Sequence, residues 1–262
     1  MSAVPAGGRR ERLRAATIQE IKATARRLLV AEGPHSVTLR AIAREIGMTA
    51  PGLYRYFPSH EDLWHDLCHD TYAAIADAIE AALEPLPPEQ VELRLLTACR
   101  EFRSWAVAHP REFGLVFGMP LPGLVQVKDL TNPEHIAGMR FALVFTQAFA
   151  DLWTARPFPV VADEDLPAEL SAQLRRYRAA VAGAPGARVG DQLPLGAILV
   201  FLQAWVQLYG IVTMEVFGHL GFCLDDVGEF FDTELARIGR MLGIEELPLP
   251  GAGFGGGAGT PG

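Results

Sequence analysis

Apolar residues recur at helical spacing along most of the chain, and no segment alternates between apolar and polar positions as a half-buried strand would. Prolines and glycines mark the breaks between the apolar segments. The pattern predicts helices over residues 15–33, 38–46, 49–56, 59–83, 89–108, 134–155, 167–181, 195–218 and 225–242, with a brief continuation over residues 110–117. The sequence therefore predicts an all-α protein.

Residues 38–57 have the features of two short helices joined by a tight turn. Thr38 and Thr49 are suitable N-cap residues, because a threonine hydroxyl can accept a hydrogen bond from a free amide at a helix start. Gly47 can adopt the left-handed conformation that ends a helix, and Pro51 falls in the first turn of the second helix, where its missing amide costs least. This arrangement is typical of a helix-turn-helix motif, whose second helix enters the DNA major groove.

The second helix of this motif carries side chains that can contact DNA. Arg55 can donate two hydrogen bonds to guanine, whereas the hydroxyls of Tyr54 and Tyr56 suit phosphate oxygens. Gly52 allows the backbone to approach the DNA closely. The candidate DNA-contacting residues in the motif are Thr38, Arg40, Thr49, Ala50, Gly52, Tyr54, Arg55 and Tyr56.

Residues 21–67 resemble the DNA-binding domain of TetR-type (tetracycline-repressor family) regulators. The matching positions are Ile21, Ala25, Leu28, Leu29, Gly33, Val37, Thr38, Ile42, Ala43, Gly47, Thr49, Gly52, Leu53, Tyr54, Phe57 and residues 59–63. The resemblance implies a homodimeric transcriptional regulator, more often a repressor than an activator, that binds a palindromic operator in double-stranded DNA and responds to a small molecule. It also implies that His60 occupies a phosphate-contact position, where the family often has lysine.

A second resemblance covers the C-terminal part of the chain more loosely. Residues 204–210, with the following Glu215, are similar to a C-terminal type of TetR regulator that is marked by a Trp…His-Gly signature. Tyr209 stands where that subgroup usually has histidine.

The charge distribution agrees with a protein that touches DNA at one end. Residues 1–60 hold ten Lys and Arg side chains against four acidic ones, a local charge of +6. Because the net charge of the whole chain is −8, the remaining 202 residues carry a charge of −14. Residues 1–14 are expected to form a flexible arm whose arginines contact the minor groove or nearby phosphates, the alternative being a solvated tail. These arginines are Arg9, Arg10, Arg12 and Arg14.

The cysteines and the hydropathy profile bear on where the protein resides. Three widely spaced cysteines form no disulfide framework, and the N-terminal residues lack an apolar signal core, so a cytoplasmic protein is expected. Residues 195–214 contain no charge and could span a bilayer. Gln203, Gln207 and Glu215 favour instead a helix that is covered by a partner, and no membrane association is expected.

The last two predicted helices are expected to form a four-helix dimer interface with the same helices of a second copy. The candidate interface residues are Leu199, Gln203, Val206, Phe230, Phe231, Leu235, Ile238 and Leu242. Aromatic stripes in the body suggest a pocket for an apolar or aromatic effector, or alternatively a purely structural core. The candidate pocket residues are Phe102, Trp105, His109, Phe113, Phe117, Arg140, Phe145, Phe149, Trp153 and Tyr209.

The expected organisation has four parts: a basic arm at residues 1–14, the DNA-binding domain at 15–60, a ligand-binding and dimerisation domain at 61–245, and a disordered glycine-rich tail at 246–262. His65 and His69 have metal-ligand spacing, but a polar helix face explains them as well, and neither a metal nor a cofactor is expected. A helical-bundle enzyme or binding protein is the alternative, although the chain lacks a recognisable catalytic motif.

Overall fold

The computed structural model describes residues 6–118, 136–184, 187 and 193–245, and all regular structure within them is helical. These residues form ten α-helices: α1 (Ala6–Glu32), α2 (Leu39–Glu45), α3 (Ala50–Leu53), α4 (His60–Leu83), α5 (Val91–Ala108), α6 (Pro110–Phe113), α7 (Ile136–Ala155), α8 (Ala168–Ala182), α9 (Leu195–Val216) and α10 (Gly228–Met241). The all-α prediction is confirmed. The loop expected over residues 119–133 and the tail from residue 246 onwards lie outside the described residues.

Short 3₁₀ turns lie at Pro34–Ser36 and Asp163–Asp165, and a π-helical turn at Gly114–Gly118 follows α6 directly. The π turn was predicted only as a helical continuation. Its wider hydrogen-bond pattern cannot be read from apolar spacing over so few residues.

The chain divides into two compact units, one built from residues 1–77 and 108–141 and the other from residues 78–107 and 142–262. The boundary predicted after residue 60 therefore differs from the division in the structure. The first part of α4 belongs to the first unit because Leu63 and Leu67 are fully buried in its core. Leu115, from the π-helical turn, is buried in the same core.

The first unit, which we call the head, packs α1, α2, α3 and the start of α4 around one apolar core. Ile21, Ile42 and Leu53 each lose all exposure to solvent there. Gly33 ends α1 with a φ of 89°, and Gly47 follows α2 with a φ of 68°. Both glycines were predicted at helix ends, and only glycine adopts such angles at low cost.

The first helix starts earlier than predicted. Residues 6–14, expected as a flexible arm, form the first turns of α1. No proline interrupts the chain between Ala6 and Glu32, and Arg, Glu, Leu and Ala are all good helix formers. Because helix propagation is easy once a nucleus exists, the packed half of α1 allows the helix to extend outward.

The second unit, which we call the body, is built around α9. Its first turn is fixed by Asp163, whose Oδ1 accepts a hydrogen bond of 2.9 Å from the amide of Leu195. A Cβ at Gly196 would lie 2.1 Å from the carbonyl oxygen of Val161, so only glycine permits this close approach. Farther along, Arg103 of α5 donates to both carboxylate oxygens of Glu215, at 2.7 and 2.6 Å.

In the described part of the chain, α9 is the one helix with the length and apolar composition of a membrane span, at a mean hydropathy of 1.8 over 18 residues. About 44% of that stretch is buried inside the chain itself. Packing within the body therefore accounts for less than half of this uncharged stretch, and the rest of its surface stays at least partly exposed.

Candidate DNA-binding site

The turn between α2 and α3 is held by two threonine caps. The Thr38 hydroxyl oxygen accepts a hydrogen bond of 3.1 Å from the amide of Ala41, and the Thr49 hydroxyl oxygen accepts one of 3.3 Å from the amide of Gly52. Both caps were predicted and both are confirmed. Each hydroxyl retains its own hydrogen, so it can donate to a phosphate oxygen while it caps the helix.

The second helix of the motif is shorter than the predicted 49–56. Regular α-helix ends at Leu53, and the amide of Tyr56 then bonds to the carbonyl oxygen of Leu53 at 2.8 Å, which continues the segment as a turn. Leu53 and Phe57 are buried beneath this turn. Tyr54 and Arg55 consequently face solvent, and Tyr56 is half-buried.

Most of the predicted DNA-contacting side chains lie on the surface of the head. The exposed ones are Thr38, Arg40, Thr49, Tyr54 and Arg55, and the half-buried ones are Ala50, Gly52 and Tyr56. A Cβ at Gly52 would lie 3.1 Å from the Thr49 hydroxyl oxygen. The absence of a side chain at Gly52 therefore also protects the cap at Thr49, a role that the sequence pattern did not indicate.

The basic residues of the head fall into two groups. Lys22 lies 2.7 Å from Asp70, and Arg27 contacts Glu45 through two hydrogen bonds of 3.0 and 3.1 Å. Arg26 also pairs with Asp70, so these three cations are neutralised within the chain. Among the described residues, no ion pair engages Arg9, Arg10, Arg12, Arg40, Arg44 or Arg55.

Arg44 was not among the predicted contacts, although its position in the sequence could have suggested it. It lies one helical turn beyond Arg40 on α2 and is exposed. Side chains four residues apart lie on the same face of a helix. Arg40 and Arg44 therefore give α2 a row of two unpaired cations.

Arg14 of α1 contacts the α3 segment directly. Its guanidinium carbon lies 5.4 Å from the centroid of the Tyr56 ring, a distance at which cation–π attraction operates. The N-terminal half of α1 is thereby placed beside the residues that follow α3.

His60 makes internal hydrogen bonds that conflict with its expected role as a phosphate contact. Its Nε2 lies 2.6 Å from the carbonyl oxygen of Val37, and its Nδ1 accepts a hydrogen bond of 2.8 Å from the indole Nε1 of Trp64. Indole only donates, so Nδ1 is unprotonated and Nε2 carries the hydrogen that it donates to Val37. Both ring nitrogens therefore already have partners within the chain, although His60 is exposed, and these hydrogen bonds argue against the expected phosphate contact. Trp64, its partner, was not singled out in the sequence.

The histidines of α4 lie apart from any ligand cluster. His65 lies 3.7 Å from Glu61, and His69 lies 3.8 Å from Asp70. Cys68 is buried on another face, and this burial raises its pKa to about 12. Among the described residues, no three potential ligands converge on one point.

The predicted pocket residues fall in both units, some in the head and some in the body. In the head, Phe113 and Phe117 pack together at a centroid distance of 4.6 Å, and Tyr72 contacts Phe117 at 5.7 Å. Arg140, also in the head, pairs with Asp77 at 2.6 Å. His109 is exposed beside α6. Phe113 and Phe117 therefore take part in the aromatic packing of the head.

In the body, three of the remaining predicted aromatics contact Trp205. The Trp205 ring lies 5.7 Å from that of Phe102 and 5.3 Å from that of Phe145, and Tyr209 stacks on it at 6.1 Å. Trp105 is buried, and Trp153 packs against Phe158 instead.

A small groove, part of it open to solvent, runs beside Trp205. Of the predicted pocket residues, only Phe145 and Phe149 line it. The other lining residues are Leu95, Leu96, Cys99, Phe201, Ala204, Trp205, Leu208, Leu235, Ile238, Gly239 and Leu242. With Phe145 and Phe149 of α7, these residues come from four different helices, so spacing within one helix could not identify them.

Half of the predicted dimer-interface residues lie inside the chain. Phe231, Leu235, Ile238 and Leu242 of the α10 region are each less than 5% exposed, so they cannot face a second copy, and this part of the prediction is wrong. They pack against α5 and α9 of the same chain. In the sequence, an apolar helix face that packs within the chain looks the same as one that forms a dimer interface. The exposed members of the set are Gln203, Val206 and Phe230, and Leu199 is half-buried.

Comparison with known proteins agrees with this architecture. The family model for the bacterial regulatory proteins of the tetR family matches residues 21–67, and the model for the tetracyclin repressor-like C-terminal domain matches residues 95–238, more than half of the chain. The first match covers the caps and the turn of the helix-turn-helix motif, and the second covers most of α5 to α10.

Two mycobacterial proteins named HTH-type transcriptional regulators are similar over nearly the whole chain. Rv1816 of Mycobacterium tuberculosis and Mb1846 of Mycobacterium bovis are each 29% identical over 238 residues, which is 90% of this chain and 96% of the relative. The solved structure of the protein SCO4313 is 26% identical, with a TM-score of 0.59 over 87% of this chain and 97% of its own. The chain belongs to the TetR family and is a DNA-binding transcriptional regulator.

Proposed function

We propose that the protein acts as a homodimeric, ligand-responsive repressor that binds a palindromic operator through α3 of each copy. The observation that carries this proposal is the surface around α3. Tyr54 and Arg55 face solvent, while Leu53 and Phe57 are buried beneath them. Arg40 and Arg44, on the preceding helix, form no ion pair among the described residues. A rigid exposed helix beside unpaired cations suits the major groove and its flanking phosphates.

Within this site we assign reading and positioning roles by chemistry. Arg55 reads a base, because guanidinium can donate two parallel hydrogen bonds to guanine. Arg40, Arg44 and the hydroxyls of Thr38 and Thr49 hold phosphates and thereby set the register on the duplex.

We propose that the exposed face of α9 forms the dimer interface. Gln203, Val206, Gly210, Met214 and Phe217 follow one another at intervals of three or four residues, so they share a face of the helix. Val206 is 67% exposed, and Met214 and Phe217 are also exposed. A Cβ at Gly210 would meet nothing within 4 Å, which leaves room for a second helix to approach closely.

Phe230, exposed near the start of α10, supplies a further apolar contact from the same part of the body. This surface retains Gln203, Val206 and Phe230 of the predicted set and replaces the buried α10 residues. Two-fold symmetry in the dimer then requires an inverted repeat in the operator.

We propose that the effector is an uncharged apolar or aromatic molecule that enters the groove beside Trp205. The groove walls are apolar side chains from α5, α7, α9 and α10, and a charged ligand would find no counter-charge among them. The similarity of residues 204–210 to the Trp…His-Gly subgroup falls at the same place, with Trp205 lining the groove and Tyr209 stacked on it. Ligand binding there would change the separation of the two heads and release the operator.

A repressor of this kind has to reach chromosomal DNA, so we place it in the cytoplasm and assign it no enzymatic role.

Selection of bound duplexes from a random pool tests the proposal. We expect an inverted repeat with half-sites about one helical turn apart. Arg55→Ala, which leaves the core untouched, is expected to weaken binding of the selected duplex by roughly 1–3 kcal/mol and to relax the preference at one base pair per half-site. Tyr54→Ala is expected to weaken binding without that loss of preference. Recovery of no repeat, or an unchanged Arg55→Ala, contradicts the assignment.

A further inference from the structure

The N-terminal half of α1 is largely exposed to solvent, and among the described residues only Arg14 and Ile18 are seen to contact the rest of the head. Residues 9–16 are all exposed, residues 8 and 17–20 are exposed or half-buried, and Ile21 is the first buried position. At about 1.5 Å per residue, residues 8–20 form roughly 20 Å of helix. We call residues 8–20 the helical arm.

The helical arm is basic and continues the packed face of α1. Arg10, Arg14 and Ile18 lie four residues apart, and Ile18 packs against the head core. Arg14 lies over the Tyr56 ring at 5.4 Å. The row that begins in the core therefore runs past α3 and carries Arg10 outward on the same side. Arg9 and Arg12 add two further exposed cations, and neither forms an ion pair among the described residues.

We infer that the helical arm lies along the DNA backbone that flanks each operator half-site and binds its phosphates through Arg9, Arg10 and Arg12. The inference rests on the proposed function, because it takes α3 as the helix in the major groove. With α3 in that groove, Tyr56 lies at the protein–DNA boundary, and the contact between Tyr56 and Arg14 directs the arm along the same boundary.

Because the arm is helical, it is expected to contact the DNA backbone instead of entering the minor groove. An α-helix with its side chains is about 10–12 Å across, whereas the minor groove of B-DNA is about 6 Å wide. A helix cannot enter that groove as an extended arginine arm can. The phosphates remain as partners, and they require charge without sequence recognition.

The test compares two triple variants on the duplex recovered by selection. Arg9→Gln/Arg10→Gln/Arg12→Gln removes the charges from the arm and keeps residues that favour helix. Arg175→Gln/Arg176→Gln/Arg240→Gln is the matched control, since it removes three exposed arginines from the body. The affinity of each variant is measured over a range of salt concentrations, on duplexes with long flanks and with flanks trimmed to the half-sites.

For the arm variant we expect the slope of log K against log salt to fall in magnitude by roughly 2–3 on long flanks, about 0.9 for each phosphate that the arm no longer neutralises. Specific and non-specific duplexes should lose affinity by the same factor. Wild type should lose a comparable factor when the flanks are trimmed, and the control variant should match wild type. An unchanged slope in the arm variant overturns the inference and identifies the arm as a solvated helix.

A further variant separates a rigid helix from an extended arm. Ala15→Pro keeps every arginine but breaks α1 within the arm, between its arginines and the core. We expect it to lose the contribution of the arm, as the triple variant does. If Ala15→Pro retains full affinity and wild type prefers A·T-rich flanks, the arm enters the minor groove and the inference is wrong.

If the wild-type protein binds no duplex specifically, both the proposed function and the helical-arm inference fail. If wild type binds specifically and Arg55→Ala is impaired while the arm variant is normal, the helical-arm inference alone fails.

Discussion

The imidazole Nε2 of His60 lies 2.6 Å from the carbonyl oxygen of Val37. This hydrogen bond joins the first residue of α4 to the residue that precedes the N-cap of α2. Trp64, one turn farther along α4, donates to the other ring nitrogen and fixes the tautomer. The start of α4 is thus fastened to the helix-turn-helix motif by a polar contact above the apolar core.

Replacement of His60 by alanine should destabilise the head. The change leaves the Trp64 indole and the Val37 carbonyl without their partner, at a cost of about 1–3 kcal/mol in the free energy of unfolding. The salt dependence of DNA binding should not change, because the ring contacts no phosphate. Denaturant unfolding and salt titration measure the two effects, with His35→Ala as a control at an exposed histidine. A normal stability with a smaller salt slope would restore the phosphate role.

Charges placed on the exposed face of α9 should separate the dimer. Val206→Glu/Phe230→Glu would bury two carboxylates per copy at the interface, and an unpaired buried charge costs several kcal/mol, so the dimer dissociation constant should rise by about 100-fold or more. Sedimentation should show folded monomers. Leu13→Glu, at an exposed apolar residue of α1, should remain dimeric.

Phe231→Glu tests the corrected position of α10. Phe231 is buried within its own chain, so this variant should unfold the body instead of producing folded monomers. A folded, monomeric Phe231→Glu protein would return Phe231 to the interface.

The thiols should differ in reactivity and should influence stability at alkaline pH. Burial raises the pKa of Cys68 and of Cys99 to about 12, whereas Cys223 is exposed. An aromatic disulfide reagent at pH 8 should therefore modify only Cys223 rapidly.

The unfolded chain releases each thiol proton near a pKa of about 8.5, while the folded chain retains it. The stabilisation is complete below that pH, and each thiol should lower the free energy of unfolding by about 1.4 kcal/mol per pH unit as the pH rises towards 12. Cys99→Ala should show a shallower alkaline decline than wild type. Equal slopes for the two proteins would mean that Cys99 ionises as readily when folded as when unfolded.

The groove should report its ligand through Trp205. Naphthalene, an uncharged aromatic probe, should change the tryptophan fluorescence of wild type and of Trp153→Phe, but much less that of Trp205→Phe, because Trp205 lines the groove and Trp153 does not. It should also weaken operator binding. If a panel of uncharged aromatic compounds neither shifts the fluorescence nor displaces the operator, the groove is a packing feature of the body.

Local signals account for most of what the sequence could predict. The caps at Thr38 and Thr49 and the glycine turns at Gly33 and Gly47 depend on neighbours a few residues away, and all of these are confirmed. The Ser-x-x-Asp pattern at residues 59–62 is a further local signal of this kind, and in the structure Ser59 and Asp62 form a reciprocal capping box at the start of α4.

The failures concern partners that are distant in the sequence. An apolar face such as that of α10 looks the same whether it packs in its own chain or on a second copy, so Phe231 was misplaced. The four-residue stripe of α7 could not show that Phe141 belongs to the head and Phe145 to the body. The role of His60 depended on Val37, which lies 23 residues away.

The most direct test of the central claim is the affinity of the wild-type protein for the selected operator compared with a duplex that carries one half-site. Fluorescence anisotropy at fixed salt measures both, and titration at high DNA concentration gives the number of chains bound. Two heads joined in one dimer predict two chains per operator and an affinity at least 100-fold higher for the full site, since the second contact is intramolecular. Equal affinities for the two duplexes, or one chain per full operator, would contradict the account.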